Sequence, residues 1–304
     1  MSATTGSPTP KLLGASPRRK RVNRTMEVLS SLAAVLAVAV LIIVIGSVVI
    51  KGVSALSLNF LTETPAPFGV PGGGIANAIV GTFLLVLMAS VVAVPIGILI
   101  GIHASEFAKP RTSNAVKFAL DILNGVPTIV TGVFIFGLLV AARVSIFGLG
   151  LGGSQSGYAG AVALAIIMLP IVARSAQEVL RLVPNSLREA AVALGIARWR
   201  MVARVVLPTA AGGLITGAVL GVARVAGETA PLLLTSSIAS TAVSWNPSQA
   251  LSSIPVSIFT LSESASPADH ARGWAAALVL IIGVLVLSVL ARTLHDRSRR
   301  RLRG

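Results

Sequence analysis

Long apolar runs alternate with short polar gaps along most of the chain. Six of the runs are long and apolar enough to cross roughly 30 Å of hydrocarbon as α-helices. We place them near Val28–Ile50, Gly74–Ile102, Val116–Ala142, Tyr158–Ala173, Ala210–Leu234 and Trp274–Leu294. Pro170, near the end of the fourth and shortest run, is expected to kink its helix. The pattern predicts an all-α polytopic membrane protein with six transmembrane helices.

The polar stretches separate a central membrane domain from two tails. Residues 27–294 form the predicted six-helix transmembrane domain, and residues 295–304 form a basic C-terminal tail. Residues 1–26 form a basic N-terminal tail that we expect to be disordered. The apolar run that follows is too long for a signal peptide and has no clear cleavage site. We therefore predict an uncleaved membrane anchor.

Composition supports a membrane protein and excludes several kinds of chemistry. Of the 304 residues, 54% are hydrophobic and 12% are charged, whereas a typical soluble domain has roughly 25% charged residues. The chain has no cysteine, which excludes disulfides and thiol nucleophiles. His103, His270 and His295 lie in separate polar stretches. We therefore expect neither a metal site nor a cofactor.

Lysine and arginine residues are distributed unevenly among the gaps. Of the 25, 21 lie in the two tails and in the second and fourth gaps, and three lie in the other gaps. Because Lys and Arg are retained on the cytoplasmic side, we expect both termini and the second and fourth gaps to be cytoplasmic. The net charge of +15 thus indicates topology and contact with membrane lipid, and we expect no binding of nucleic acid.

The fourth gap, residues 174–208, is long for a connection within a helical bundle. Asn185 or Ser186 is suited to cap a helix that reaches Leu194, and Gly195 then supplies a flexible break. A second short helix follows, with Met201, Val202, Val205 and Val206 on one face and Arg198, Arg200 and Arg204 elsewhere. Such an element either docks into the groove of a partner protein or lies on anionic lipid.

Part of this gap contains Glu189-Ala190-Ala191, then Gly195 and the ending Leu207-Pro208. The spacing of these residues gives the gap a resemblance to the EAA loop of ABC-importer permeases. It implies a MetI-like permease half in which residues 185–208 form a coupling loop. In that family the loop enters a cleft of a cytoplasmic ATPase, which assigns ATPase coupling to Glu189, Ala190, Ala191 and Gly195.

ATP hydrolysis itself is not expected from this chain. A Walker A motif needs a lysine followed by Ser or Thr after a glycine-rich turn. The five lysines are followed by Leu, Arg, Gly, Pro and Phe. We therefore expect no enzyme activity here and an ATPase on a separate polypeptide.

Four further segments have distinctive patterns: GGGIANAIVGTFLL (72–85), LNGVPTIVTGVFIF (123–136), GVARVAGETAPLLL (221–234) and SSIPVSIFTL (252–261), the last taken as an outer loop. Together they are similar to phosphate-importer permeases of the PstA type. Permeases for sulfate and molybdate share the Arg-x-x-Gly-Glu pattern, and the following Thr229-Ala230-Pro231 favours phosphate. The resemblance implies a homologous PstC-type permease, two PstB-type ATPase subunits, an external PstS-type binding protein and a location in the bacterial inner membrane.

Arg224 and Glu228 place two charges inside the fifth apolar run. A charge at the bilayer centre costs roughly 2.5–3.5 kcal/mol on insertion scales, so such residues usually face a pathway or a partner. At a spacing of four they share one helical face, and a guanidinium suits bidentate hydrogen bonds to an oxyanion. We therefore predict a substrate path that includes Arg224, Glu228 and Thr229. The alternative is a buried pair that locks helices together.

Neighbouring residues receive structural roles, and two other classes of protein remain as alternatives. Gly221 and Gly227 are expected to permit close helix approach, and Asp121 and Asn124 to lie at the membrane interface.

An ion-coupled secondary transporter usually shows an internal repeat, which the chain lacks. An intramembrane enzyme would need a histidine cluster, a cysteine or a spaced carboxylate pair, and none is present.

Overall fold

The computed structural model describes residues 17–141, 154–236 and 241–301. The chain divides into two units, residues 1–49 and residues 50–304. The described part of the first unit belongs to α1 (Pro17–Val53), whose apolar side chains between Val28 and Val44 are exposed. A helix that is apolar on all sides is stable where lipid surrounds it. The first predicted span is therefore confirmed, and its helix overlaps the predicted N-terminal tail from Pro17 onward.

Helices of very different length make up the second unit. In chain order they are α2 (Leu58–Thr62), α3 (Ala76–Ile102), α4 (Pro110–Gly125), α5 (Thr128–Ile135), α6 (Gly157–Arg181), α7 (Asn185–Ala193), α8 (Arg198–Met201), α9 (Leu207–Ala226), α10 (Ala230–Thr235), α11 (Ile254–Ser262) and α12 (Pro267–Arg301). Within the described ranges three π-helical segments, His103–Phe107, Phe136–Ala141 and Val202–Val206, follow α3, α5 and α8.

Among the described residues, five helices are long and apolar enough to cross a membrane. A sixth span results if α4 and α5 are counted together, so the all-α polytopic fold is confirmed. The fourth span is longer than predicted because α6 continues past Pro170 to Arg181. Arg174 and Arg181, which the sequence placed in the following gap, therefore lie on a helix.

The third predicted span is wrong as a single helix. α4 and the helix that begins with α5 meet at an angle of 91°. The cause is Pro127, because a proline disfavours helical backbone at the preceding residue. Val126 accordingly adopts an extended conformation with φ −71° and ψ 125°. The result is a bent pair of helices that forms either a broken span or a re-entrant loop.

The fifth predicted span also breaks, at the charged motif itself. α9 ends at Ala226 with Gly227 as its C-cap residue, and α10 begins only at Ala230. Pro231 occupies the first turn of α10, where its missing N–H costs nothing. Arg224 is therefore helical, whereas Glu228 lies in the break.

Small residues let α3, α6 and α9 pack closely. A Cβ added to Gly97 of α3 or to Gly221 of α9 would lie 2.9 Å from side-chain carbons of Val172 on α6. The prediction for Gly221 is thus confirmed, as expected where helices approach through small residues. For Gly227 it is wrong, since an added Cβ there would meet only the carbonyl oxygen of Arg224, at 3.9 Å.

The segment before the last span is helical where the sequence predicted a loop. α11 begins after Ser253, whose side-chain oxygen accepts a hydrogen bond from the backbone N–H of Val256. The backbone N–H of Ile254 donates to the hydroxyl of Thr82 on α3 at 2.8 Å. The start of α11 is therefore fixed against α3.

Gly81 on α3 is the tightest of these approaches. A Cβ there would lie 1.9 Å from the carbonyl oxygen of Ser252. We expect Gly81→Ala to separate the two segments, an overpacking that typically costs about 1–3 kcal/mol, and to lower the melting temperature of the detergent-purified protein. Gly283→Ala on α12 is the matched control, because a Cβ there meets nothing within 4 Å. Equal melting temperatures would contradict the packing described.

Candidate functional site

The last turn of α9 and the break after it hold the predicted charge pair together. The guanidinium of Arg224 donates from Nη1 to Oε1 of Glu228. Beyond the C-cap, the backbone N–H of Glu228 still donates to the carbonyl of Val225 at 3.1 Å. The turn therefore continues far enough to bring the carboxylate under the guanidinium. The predicted pairing is confirmed, although the helix ends between the two residues.

The two partners differ greatly in exposure. The Arg224 side chain is 56% exposed, whereas the Glu228 side chain is 6% exposed. A buried carboxylate needs a counter-charge, and Arg224 supplies it from the edge of the protein. The carboxylate is thus an anchor inside the protein, and the rest of the guanidinium remains accessible.

The accessible guanidinium faces a cavity of about 540 Å³. The bend between α4 and α5 and one face of α6 form the other walls. Most of its lining is apolar, with polar groups at Asn124, Thr128, Thr131 and Arg224. Arg224 is the charged residue among those that line it. The arrangement is an apolar chamber with one fixed cation and a few hydrogen-bonding side chains.

The other predicted residues near this chamber have separate positions. Thr229 is half-buried and does not line it; its carbonyl accepts hydrogen bonds from the N–H groups of Leu232 and Leu233. Asn124 does line the chamber, and the sequence had assigned it to the interface. Asp121, one turn earlier on α4, forms an ion pair with Arg174 of α6. The sequence did contain a signal for Asn124, since Pro127 makes the bend that brings it to the same cavity as Thr128 and Thr131.

A close backbone contact fixes α10 beside the chamber. A Cβ added to Gly132 of α5 would lie 2.7 Å from the Cα of Pro231. Thr131, the neighbour of Gly132, lines the chamber. The Gly-Glu-Thr-Ala-Pro motif therefore serves two purposes: it breaks the fifth span at Glu228 and seats the next helix on α5.

The predicted coupling loop has the expected two-part form. α7 carries Glu189 and Ala190, both exposed, and Ala191, which is buried. Gly195 has φ +71°, a left-handed conformation that glycine adopts at no steric cost. The predicted side-chain cap is wrong, because Pro184 occupies the N-cap position and no side chain caps the helix.

The second half of the loop is not a separate short helix, as the sequence predicted, but continues into the fifth span. α8 runs through Val202–Val206 into α9, so residues 198–226 form one continuous helical span. Its predicted apolar face is confirmed: Met201, Val202 and Val206 are buried and Val205 is half-buried. The exposed apolar side chains lie on either side of Gly195, with Leu194 79% and Trp199 61% exposed. The second half of the loop and Arg224 thus lie at opposite ends of one helical span.

Sequence reasoning missed an ion pair that ties α7 to the end of α3. Arg188 of α7 donates from Nη2 to Oε1 of Glu106 at 2.8 Å. Glu106 is buried, with 4% of its surface exposed, and lies in the π-helical segment after α3. The available signal was weak: a single carboxylate in a gap that otherwise carries positive charge.

Comparison with known proteins identifies the class. A protein-family model described as "Binding-protein-dependent transport system inner membrane component" matches residues 93–304. The fold is similar to that of a chain of the MetNI methionine ABC transporter in an inward-facing conformation, with a TM-score of 0.52, 19% identity and coverage of 75% of this chain and 94% of that one. It is also similar to a chain of a bacterial ABC transporter involved in alginate import, with a TM-score of 0.61, 14% identity and coverage of 91% and 99%. The class is that of the membrane-spanning permease subunits of ABC transporters.

More similar relatives narrow the family. The phosphate transport system permease protein PstA of Yersinia pestis is 38% identical, over 92% of each chain. PstA 1 of Mycobacterium tuberculosis is 38% identical over 76% of this chain and 72% of its own length. The chain therefore belongs to the PstA family within the binding-protein-dependent inner membrane components.

The unequal burial of the Arg224–Glu228 pair generates a stability prediction. Arg224→Gln leaves the Glu228 carboxylate buried without its counter-charge, which should destabilise the protein by about 1–3 kcal/mol. Arg174→Gln is the matched control, because its partner Asp121 is 57% exposed and exposed pairs contribute about 0–1 kcal/mol. Melting temperatures in detergent compare the two variants. A larger loss for Arg174→Gln would contradict the account of the pair.

Proposed function

We propose that this chain is one permease half of an ATP-driven importer of inorganic phosphate. The carrying observation is the Arg224 guanidinium, which is anchored by a buried carboxylate and exposed to a largely apolar chamber. The similarity to PstA permeases of several bacteria supports phosphate as the anion. The path runs between this chain and a second homologous permease of the PstC type.

The chemistry of the chamber fits a tetrahedral oxyanion. A guanidinium presents a planar fork of N–H donors to two anion oxygens at once and remains charged at all physiological pH values. Next to largely apolar walls such a contact is stronger than in bulk water. Glu228 holds the fork in place when no anion is present. Asn124 and Thr131 provide further hydrogen-bonding groups on the facing walls.

The continuous helix 198–226 gives a direct route from the coupling loop to Arg224. A push on Trp199 or its neighbours moves the same rigid element that carries the guanidinium. Separate ATPase subunits of the PstB type dock on the loop around Glu189, Ala190, Ala191 and Gly195. A PstS-type binding protein delivers phosphate to the opposite side.

The distribution of basic residues supports an orientation in which both termini and the coupling loop are cytoplasmic. The chain has no native cysteine, so single cysteines can be introduced for labelling. In intact cells an impermeant thiol reagent should label Ser248→Cys and leave Ser186→Cys unlabelled. Labelling of Ser186→Cys from outside would remove the coupling argument.

Variants of Arg224 distinguish anion binding from helix clamping. Arg224→Lys keeps the charge and loses the planar fork, so phosphate uptake should fall markedly while the complex still assembles. Arg224→Gln should abolish nearly all uptake, because no cation then offsets the desolvation of phosphate. Uptake of labelled phosphate, with sulfate as competitor, measures both the loss and the selectivity.

The decisive variant combines Arg224→Gln with Glu228→Gln. It removes both charges, so no unpaired carboxylate remains in the protein interior. Stability should therefore return toward that of the unmodified protein, whereas uptake should not. If uptake returns as well, the pair is a helix clamp and the substrate-path proposal fails.

The conformation of Gly195 allows a test of coupling that leaves the chamber untouched. Proline fixes φ near −65° and is incompatible with the observed φ of +71°, so Gly195→Pro should displace α7 from α8. We expect the complex to reach the membrane and hydrolyse ATP without driving uptake. Gly195→Asn is the control, since asparagine tolerates the left-handed region and an added Cβ meets nothing within 4 Å. Normal uptake in Gly195→Pro would show that the loop does not transmit the signal.

A further inference from the structure

We propose that Glu106 and Arg188 form a rigid link that makes α7 of the coupling loop move together with α3. The proposal rests on the proposed function, since it concerns how force from an ATPase enters the membrane domain. It assigns a positioning role to Glu106, a residue outside the EAA motif. It also means that each half of the loop moves a different membrane helix: α8 moves α9, and α7 moves α3.

The contact is a two-sided, charge-assisted clamp. Arg188 donates to both oxygens of Glu106, from Nη2 at 2.8 Å and from Nε at 3.3 Å. The same guanidinium donates to the carbonyls of Leu180 at 2.8 Å and Val183 at 2.6 Å. Bidentate arginine–carboxylate pairs fix orientation as well as distance. One side chain thus joins α7, the end of α6 and the end of α3.

Hydrogen bonds to neighbouring helices hold the segment that carries Glu106. Glu106 lies in the π-helical segment, which is closed by a hydrogen bond from the N–H of Ala108 to the carbonyl of His103 at 2.8 Å. The hydroxyl of Ser113 on α4 donates to the carbonyl of Ala104 at 2.8 Å, and the side chain of Gln177 on α6 donates to that hydroxyl at 3.4 Å. Glu106 therefore cannot shift alone. A displacement of its carboxylate displaces the end of α3.

α7 has little other attachment to the bundle. Of its residues Asn185–Ala193, Ala191 is the buried one. On its C-terminal side the chain passes through Gly195, where the backbone can pivot. On its N-terminal side three residues, including the buried Val183, connect it to α6. A short helix held only by these chain connections and one buried alanine would keep freedom to rotate against α3. The Arg188–Glu106 clamp removes that freedom.

The packing of α3 explains what the link achieves. An added Cβ on Gly101 of α3 would lie 2.7 Å from the Cβ of Ala176 on α6, so a displacement of α3 is passed to α6. Ile167 and Ile171 of α6 line the chamber that Arg224 faces. A push on α7 therefore moves one wall of the chamber, while the same push on α8 moves the guanidinium.

The first test measures transport and ATP hydrolysis together in proteoliposomes that contain the whole complex. Glu106→Gln keeps the shape of the side chain and removes its charge. We expect phosphate transported per ATP hydrolysed to fall about tenfold, with ATP hydrolysis and recovery of the complex retained. Lys109→Gln is the control: it removes one exposed charge at the same end of the bundle and should leave the ratio unchanged.

Two outcomes overturn the proposal. A normal ratio in Glu106→Gln shows that the link carries no force. A parallel loss of both activities, or of complex recovery, shows that the pair only stabilises the fold. If the unmodified complex transports no phosphate, the proposed function fails instead, and the link can still be tested through the anion that stimulates ATP hydrolysis.

A second test uses the absence of native cysteine. Glu106→Cys combined with Arg188→Cys removes the ion pair and should uncouple transport. Bridging the two thiols with a short bifunctional reagent restores a rigid connection, so the ratio should recover to at least about half of its original value. A bridged complex that hydrolyses ATP but stays uncoupled would show that the pair must open during the cycle, which contradicts a rigid link.

Discussion

A permanent positive charge within a membrane-spanning helix is the constraint on which the rest of this structure depends. Arg224 is tolerated there because Glu228 balances its charge from the protein interior and because the remaining guanidinium surface faces a chamber. The helix that carries Arg224 also ends within the same turn. Gly227 ends α9, and Pro231 starts α10 in a new direction against Gly132. The motif Gly-Glu-Thr-Ala-Pro therefore both redirects the backbone and supplies the buried carboxylate.

The same charge is mechanically connected to the end of the molecule that carries residues 185–208, the proposed coupling loop. α8, the π-helical segment and α9 form one span from Arg198 to Ala226, so displacement at one end reaches the other without an intervening hinge. Glycines along α9 and α3 bring both helices close to α6, which leaves little slack between them. The backbone between α7 and α8 can pivot at Gly195. The Glu106–Arg188 pair limits the resulting motion of α7 by holding it to the end of α3.

Sequence patterning predicted the class, most of the spans and the charge pair. Hydropathy located α3 within two residues at its start, Gly74 against Ala76. It failed at the third and fifth spans, because hydropathy measures partitioning of residues into lipid and says nothing of backbone direction. Pro127 and Pro231 carried that information locally. The Glu106–Arg188 pair had no local signal, since 82 residues separate its members and only the packing of α3, α6 and α7 brings them together.

The central claim is that the Arg224 guanidinium contacts the transported anion. A cryo-electron microscopy structure of the complete transporter, held in its nucleotide-bound state by a hydrolysis-deficient ATPase and supplied with phosphate, tests it most directly. The account predicts a tetrahedral anion between the two permease subunits, within about 3 Å of the Arg224 nitrogens, with Glu228 still behind the guanidinium. An anion bound elsewhere along the path, with Arg224 engaged by Glu228 alone, would contradict it.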